Sequence, residues 1–219
     1  MPRGPNARSG HREVDEGYQS YDASEARFSL TGPYALVGNV LAPVPLGRTA
    51  VVIEGGKIRD VMRSPRSAEL PSERREVSGF ICPGFIDLQI NGAFGINVGP
   101  DTKALAALAR ELPKTGVTPF LPTAVSWPAE RYADFLDTLE EAPSSPGAAI
   151  LAAHIEGPFL ALARKGAHDP ANLQPVDLEL TERLVGSGMV RVMTLAPELP
   201  RAKEAIRLLR DGGVVESSA

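Results

Sequence analysis

From Ile81 onward the chain alternates short apolar runs with helical patterns, and this alternation limits the fold more than any other feature. "GFIDLQI" precedes "TKALAALARELPKTG", and "VTPFLPTAV" precedes "PAERYADFLDTLEEA". "AAILAAHIEG" precedes a loop and "DLELTERLVGSG"; "VRVMTLAPE" precedes "PRAKEAIRLLRDGG"; "VVESSA" comes last. Strands and helices of these lengths in this order make βαβ units on a parallel sheet. Asp101 is placed to cap the first helix, and Gly116 and Gly212 sit where C-terminal glycines belong. Four units and a fifth strand fit an open doubly wound sheet. They also fit just over half of an eight-stranded barrel, which takes about 250 residues when complete. A dinucleotide-binding sheet carries G-x-G-x-x-G after its first strand. Here "NGAFGINVGP" follows instead, which favours the barrel.

The segment before Ile81 reads differently. Residues 31–80 hold the β runs "YALVGNVL", "RTAVVIEGGKIRDV" and "REVSGFI". Glu54-Gly55-Gly56-Lys57 marks a tight hairpin between two of them. The expected structure is a small β-sandwich or sheet portion. Residues 1–30 are rich in Gly, Pro, Ser and charge with hardly an aliphatic cluster, so a disordered tail is expected there, with His11 inert. A start codon assigned too far upstream would look the same.

Bulk properties exclude several classes. The net charge is −4, so a nucleic-acid footprint is absent. No apolar run reaches the roughly 20 residues that span a bilayer, and no signal-peptide pattern opens the chain. Cys82 is the only cysteine, so it forms no internal disulfide, and a cytoplasmic setting is expected.

Strand alternation sorts the polar residues of the barrel segment. In "FIDLQIN", Ile86, Leu88 and Ile90 share one face and are expected to meet helices, while Asp87, Gln89 and Asn91 share the other. In "LAAHIEG", Leu151, Ala153 and Ile155 share a face opposite His154 and Glu156. Both strands thus place polar residues inward near their C-terminal ends, where barrel enzymes hold their sites. A buried carboxylate such as Glu156 is costly without a cation or donors. That need points to metal binding or proton transfer. His168, after Lys165-Gly166 in a loop, is a candidate for substrate contact. Cys82 and Trp127 read as packing residues. "VGSGM" around Ser187 lacks the first glycine of a nucleophile elbow.

Three blocks carry a family resemblance: "PGFIDLQINGAFGINV" (83–98), "HIEGPFLALARKGAHDP" (154–170) and "TLAPE" (194–198). In order and spacing they resemble N-acetylglucosamine-6-phosphate deacetylases of the amidohydrolase superfamily, from about Tyr34 to the chain end. The resemblance implies an α/β fold, a partial (β/α)8 TIM-type barrel of the metal-dependent hydrolase kind with a small N-terminal β-sandwich portion. It implies hydrolysis of the acetamide of N-acetylglucosamine 6-phosphate to glucosamine 6-phosphate and acetate, and homo-oligomeric full-length relatives. It implies Glu156 as the metal ligand, with Ala167 and His168 contacting the sugar. Gln89 and Asn91 fall where two-metal relatives carry His-x-His. Amides are poor ligands, so one divalent ion, zinc, is expected. With Gln89 and Asn91, His154 is a candidate lining residue.

The family's two metal-binding histidines, its phosphosugar-gripping residues and its catalytic Asp come later. The first histidine should follow "GGVV", but "ESSA" follows here. The resemblance therefore covers the first half of an enzyme, with 81–219 an incomplete barrel ending after about the fifth strand. A truncated or frameshifted product, inactive on its own, is the expectation. Two alternatives stand beside it: an amidohydrolase acting on another amide, and a non-catalytic fragment.

Overall fold

The computed structural model describes residues 32–142 and 146–219. The disordered tail expected over residues 1–30, with His11, lies outside the described residues. The chain divides into two compact units, Met1–Cys82 and Pro83–Ala219.

In the first unit, β1 (Tyr34–Leu41), β2 (Pro45–Glu54), β3 (Lys57–Arg63) and β4 (Glu73–Ile81) form one sheet in the order β3-β2-β1-β4. β2 and β3 join through Gly55 and Gly56, with φ of 58° and 74°. Two consecutive positive φ angles are what a primed hairpin turn demands, and only glycine adopts them freely. β1 pairs antiparallel with β2 and parallel with β4. Ala35, Val37, Ala50 and Val52 form this unit's core, with Met62 and Leu70 against it. The expected sandwich portion is a single four-stranded sheet among the described residues.

The second unit follows the alternation in the sequence. Its strands are β5 (Phe85–Ile90), the short pair β6 (Gly92–Ala93) and β7 (Ile96–Asn97), β8 (Val117–Ala124), β9 (Ala149–Ile150), β10 (Ala153–Glu156), β11 (Val190–Leu195) and β12 (Val215–Ser218). Its helices are α1 (Thr102–Glu111), α2 (Ala129–Glu141), α3 (Leu178–Gly186) and α4 (Ala202–Asp211). The sheet order β12-β11-β10-β8-β5 runs one way, and every pairing within it is parallel. A doubly wound sheet reverses its strand order at a switch point. No reversal occurs here, so each βα unit adds beside the last, and the result is an α/β half-barrel sheet.

Helical spacing explains the core. Leu105, Leu108 and Ala109 on α1 recur at i, i+3 and i+4, as do Tyr132, Phe135 and Leu136 on α2; all are buried. They join Phe120, Ile155, Met193 and Leu195 from the strands in one cluster. Asp101 Oδ1 accepts from the Lys103 and Ala104 N–H groups at 2.8 and 3.1 Å, the cap its position predicted.

Several expectations need correction. The "AAILAAHIEG" run is two strands, β9 and β10, with Leu151 between them 53% exposed, so Leu151 does not share the buried environment of Ala153 and Ile155. A break in pairing resets alternation, which parity alone does not foresee. Ile86 and Leu88 are more than half exposed, although Ile90 is buried. β5 is an edge strand, and among the described residues no helix covers those two side chains. After α4 the left-handed residue is Gly213, at φ 73°, not Gly212. Cys82 is exposed, not packed; Trp127 is buried. No described helix is long and apolar enough to cross a membrane.

Candidate active site

The C-terminal ends of the parallel strands supply one cavity of about 710 Å³. Asn91 follows β5, Ser126 and Trp127 follow β8, and Glu156 ends β10. The loop after Glu156 contributes Ala167 and His168.

Glu156 is the organising group. Its Oε2 accepts from the Asn91 side-chain amide at 3.2 Å, an orientation that puts the NH₂ toward the carboxylate. Its Oε1 lies 3.5 Å from His168 Nε2. The His168 tautomer follows from Ser126, whose backbone N–H points at Nδ1 across 3.2 Å. A donor aimed at Nδ1 makes that nitrogen an acceptor, so Nε2 carries the hydrogen that faces Glu156. The Ser126 hydroxyl lies 2.8 Å from the same Nδ1. Ser126 thus orients His168, whose ring faces one oxygen of Glu156 while Asn91 holds the other. Gly157 makes this packing feasible. Its φ is 83°, and a Cβ there would lie 2.3 Å from Ser126 Oγ.

His154 sits deeper and is 2% exposed. Its Nδ1 lies 3.0 Å from the Leu88 carbonyl and its Nε2 2.8 Å from Thr194 Oγ1. A carbonyl only accepts, so Nδ1 carries the hydrogen and Nε2 accepts from the threonine hydroxyl. Burial lowers the His154 pKa, against weaker upward pulls from the Leu88 carbonyl and Glu156. The ring is a neutral tie between β5, β10 and β11 and does not line the cavity.

Tyr132 supports the wall from below. Its hydroxyl donates to the Val125 carbonyl at 3.1 Å and accepts the Trp127 N–H at 3.0 Å, bracketing Ser126. Burial raises the phenol's pKa, so it keeps its proton. Tyr132→Phe leaves a buried N–H and carbonyl without their partner. The expected loss is about 1–3 kcal/mol of unfolding free energy, with faster hydrogen exchange at the Trp127 amide. An unchanged denaturation midpoint and unchanged exchange would contradict the bracketing role.

Of the residues singled out in the sequence, Asn91, Glu156, Ala167 and His168 come together at the cavity. Gln89 is exposed and is not among the lining residues. Ser126, Arg131, Arg164, Lys165 and Thr194 escaped sequence reasoning. Ser126 was findable, because it follows the end of β8 just as Asn91 follows β5. Metal fit is incomplete: among the described residues no three His, Cys, Asp or Glu side chains group closely enough to hold an ion. Glu156 offers one ligand position, and the rest of a ligand set is not in this group.

No protein-family model matches the chain. It is 36% identical over 176 residues to the N-acetylglucosamine-6-phosphate deacetylase of Homo sapiens, covering 75% of this chain and 43% of that protein. The Caenorhabditis elegans enzyme of the same name is 39% identical over 150 residues, 63% of this chain and 36% of that protein. The crystal structure of N-acetylglucosamine-6-phosphate deacetylase from Pasteurella multocida superposes with a TM-score of 0.74 at 27% identity, covering 85% of this chain and 50% of that one. The chain thus spans less than half the length of these curated relatives.

Proposed function

We propose, from its membership of the N-acetylglucosamine-6-phosphate deacetylase family over the three quarters of its length that align, that the chain supplies one half of a (β/α)8 barrel hydrolysing the acetamide of N-acetylglucosamine 6-phosphate. The observation that carries the reading is Glu156, set at a strand end with the Asn91 amide on one oxygen and the His168 ring 3.5 Å from the other, facing a cavity sized for a small molecule. An ionised carboxylate has about four lone-pair positions. Asn91 uses one of them, and a cation can take another.

In this reading Glu156 is one ligand of a single divalent ion, zinc, and the remaining ligands come from outside the described residues. Such an ion supplies Lewis-acid polarisation of the carbonyl and an activated water when bound. The chain's own residues do the positioning. Asn91 and His168 fix the carboxylate rotamer, and Ser126 fixes the His168 ring. The loop carrying Ala167 and His168 closes one side of the cavity over the sugar. Asn91 stands where a second metal would need an imidazole, and its amide already donates to Glu156, which favours the one-metal form.

The test is acetate release from N-acetylglucosamine 6-phosphate. The 219-residue chain alone releases no measurable acetate, since its described residues provide no three-member ligand group. Co-expression with the complementary C-terminal half of the Pasteurella multocida deacetylase restores release. Turnover by the chain alone, or none by the complemented pair despite a stable complex, would contradict the proposal.

A further inference from the structure

Two helices of the Pro83–Ala219 unit carry exposed charge of one sign each. On α2, Glu130, Asp134, Asp137 and Glu141 are exposed and recur at i, i+4, i+7 and i+11, with Glu140 beside them. The one cation of α2, Arg131, lies instead 4.4 Å over the Trp127 ring. On α4, Lys203, Arg207 and Arg210 are exposed and recur at i, i+4 and i+7, with half-buried Ile206 among them. Glu204 is taken by Arg201, whose Nε donates to its Oε2 at 3.2 Å. Among the described residues, none of the α2 carboxylates and none of these three α4 cations forms an ion pair. Like charges three and four positions apart repel, and a helix that steadies its own surface interleaves the two signs. Neither helix does so.

The topology sets both stripes on one surface. The strand order is one-way and crossovers between parallel strands are right-handed, so α2, α3 and α4 lie side by side on one side of the sheet, with α3 in the middle. Between α2 and α3 runs a groove of about 200 Å³. Ala133 and Leu136 of α2 and Leu180 and Leu184 of α3 line it, with Glu130 and Asp137 on one rim and Arg183 on the other.

We propose that this three-helix surface docks a second copy of the chain about a two-fold axis near α3, with α4 of each copy laid along the α2–α3 groove of the other. A two-fold contact uses the same patch on both copies. A patch that is acidic at one end and basic at the other is complementary to itself, so acidic α2 faces basic α4 twice. A helix ridge seated in a groove between two helices is the ordinary way such surfaces pack. A separate basic partner would answer α2 and leave the α4 cations unmatched, whereas a second copy answers both stripes. The contact lies away from the Glu156 cavity at the strand ends, and its test is independent of the deacetylase reading.

The experiment is sedimentation velocity of the 219-residue chain across a range of concentrations, at low and high salt. The native chain is expected to dimerise, and salt to weaken the dimer. One variant carries Asp134→Lys with Asp137→Lys, which sets basic against basic. The other carries Lys203→Glu with Arg207→Glu, which sets acidic against acidic. Each variant alone is expected to dimerise more weakly by about tenfold or more. An equimolar mixture of the two restores the dimer, because each contact again joins opposite signs. All four positions are exposed, and thermal melts check that folding is intact. A native chain that stays monomeric overturns the proposal. A dimer indifferent to salt and to both variants also overturns it, because the contact then lies elsewhere, as on the exposed β5 edge. A mixture that stays monomeric, or open assemblies larger than a dimer, overturns the two-fold pairing.

Discussion

His154→Leu lowers the unfolding free energy of the Pro83–Ala219 unit by about 1–3 kcal/mol, because the buried Thr194 hydroxyl and the part-buried Leu88 carbonyl lose their partner at once. Leucine is close to the imidazole in size, so cavity formation contributes little. The loss comes from the Leu88 carbonyl and the Thr194 hydroxyl, 3.0 and 2.8 Å from the ring nitrogens. Leu88 lies on the exposed edge strand β5, where Ile86 and Leu88 gain little from burial, so its polar tie to β10 matters more. Urea denaturation of native chain, His154→Leu, Thr194→Val and the double variant measures the coupling. The single His154 change should exceed the Thr194 change, since it removes both bonds. A shift below about 0.5 kcal/mol, the range of an ordinary surface substitution, would contradict the structural role. The same burial gives a pH dependence. The His154 pKa is lowered in the folded state from 6.5, so the neutral ring's contribution is fully present above 6.5. It is lost as pH falls from there toward the folded value, where only the unfolded chain takes up the proton. His154→Leu removes that component of the acid sensitivity.

Glu156→Gln and His168→Gln separate in the complemented enzyme. Glutamine keeps the shape of Glu156 and its bond to Asn91, with the amide flipped, but removes the charge that offsets a cation. Loss of a residue that merely supports a ligand costs about 10–100-fold in metal affinity or activity. Glu156→Gln is expected to exceed that, with kcat/KM down more than about 100-fold. His168→Gln retains a donor toward Glu156 and changes the surface proposed to face the sugar, so KM is expected to rise about tenfold while kcat changes little. A kcat collapse in His168→Gln with KM unchanged would instead place His168 in the reacting machinery.

The parts of the fold that were legible in the sequence rest on local rules. Gly55-Gly56 announces its turn because few residues tolerate two positive φ angles. Asp101 announces a helix start because an exposed N–H pair needs an acceptor. Asn91 and Glu156 were found by alternation, and the 3.2 Å bond between them shows the two strands facing the same space. What was illegible is non-local. Ser126 and His168 are 42 positions apart, and their contact depends on how the loop after Gly157 folds back. The exposure of Ile86 and Leu88 depends on strand order, because the periodicity marks an apolar face without saying what covers it. Leu151 went wrong because a break between β9 and β10 leaves no trace in an apolar run.

If the proposed role of Glu156 as ligand to the cation of a deacetylase site holds, elemental analysis of the complemented complex finds about one divalent ion per complex with native chain and a clear loss of it with Glu156→Gln, with thermal stability of the apo forms equal. Full occupancy in Glu156→Gln would contradict it.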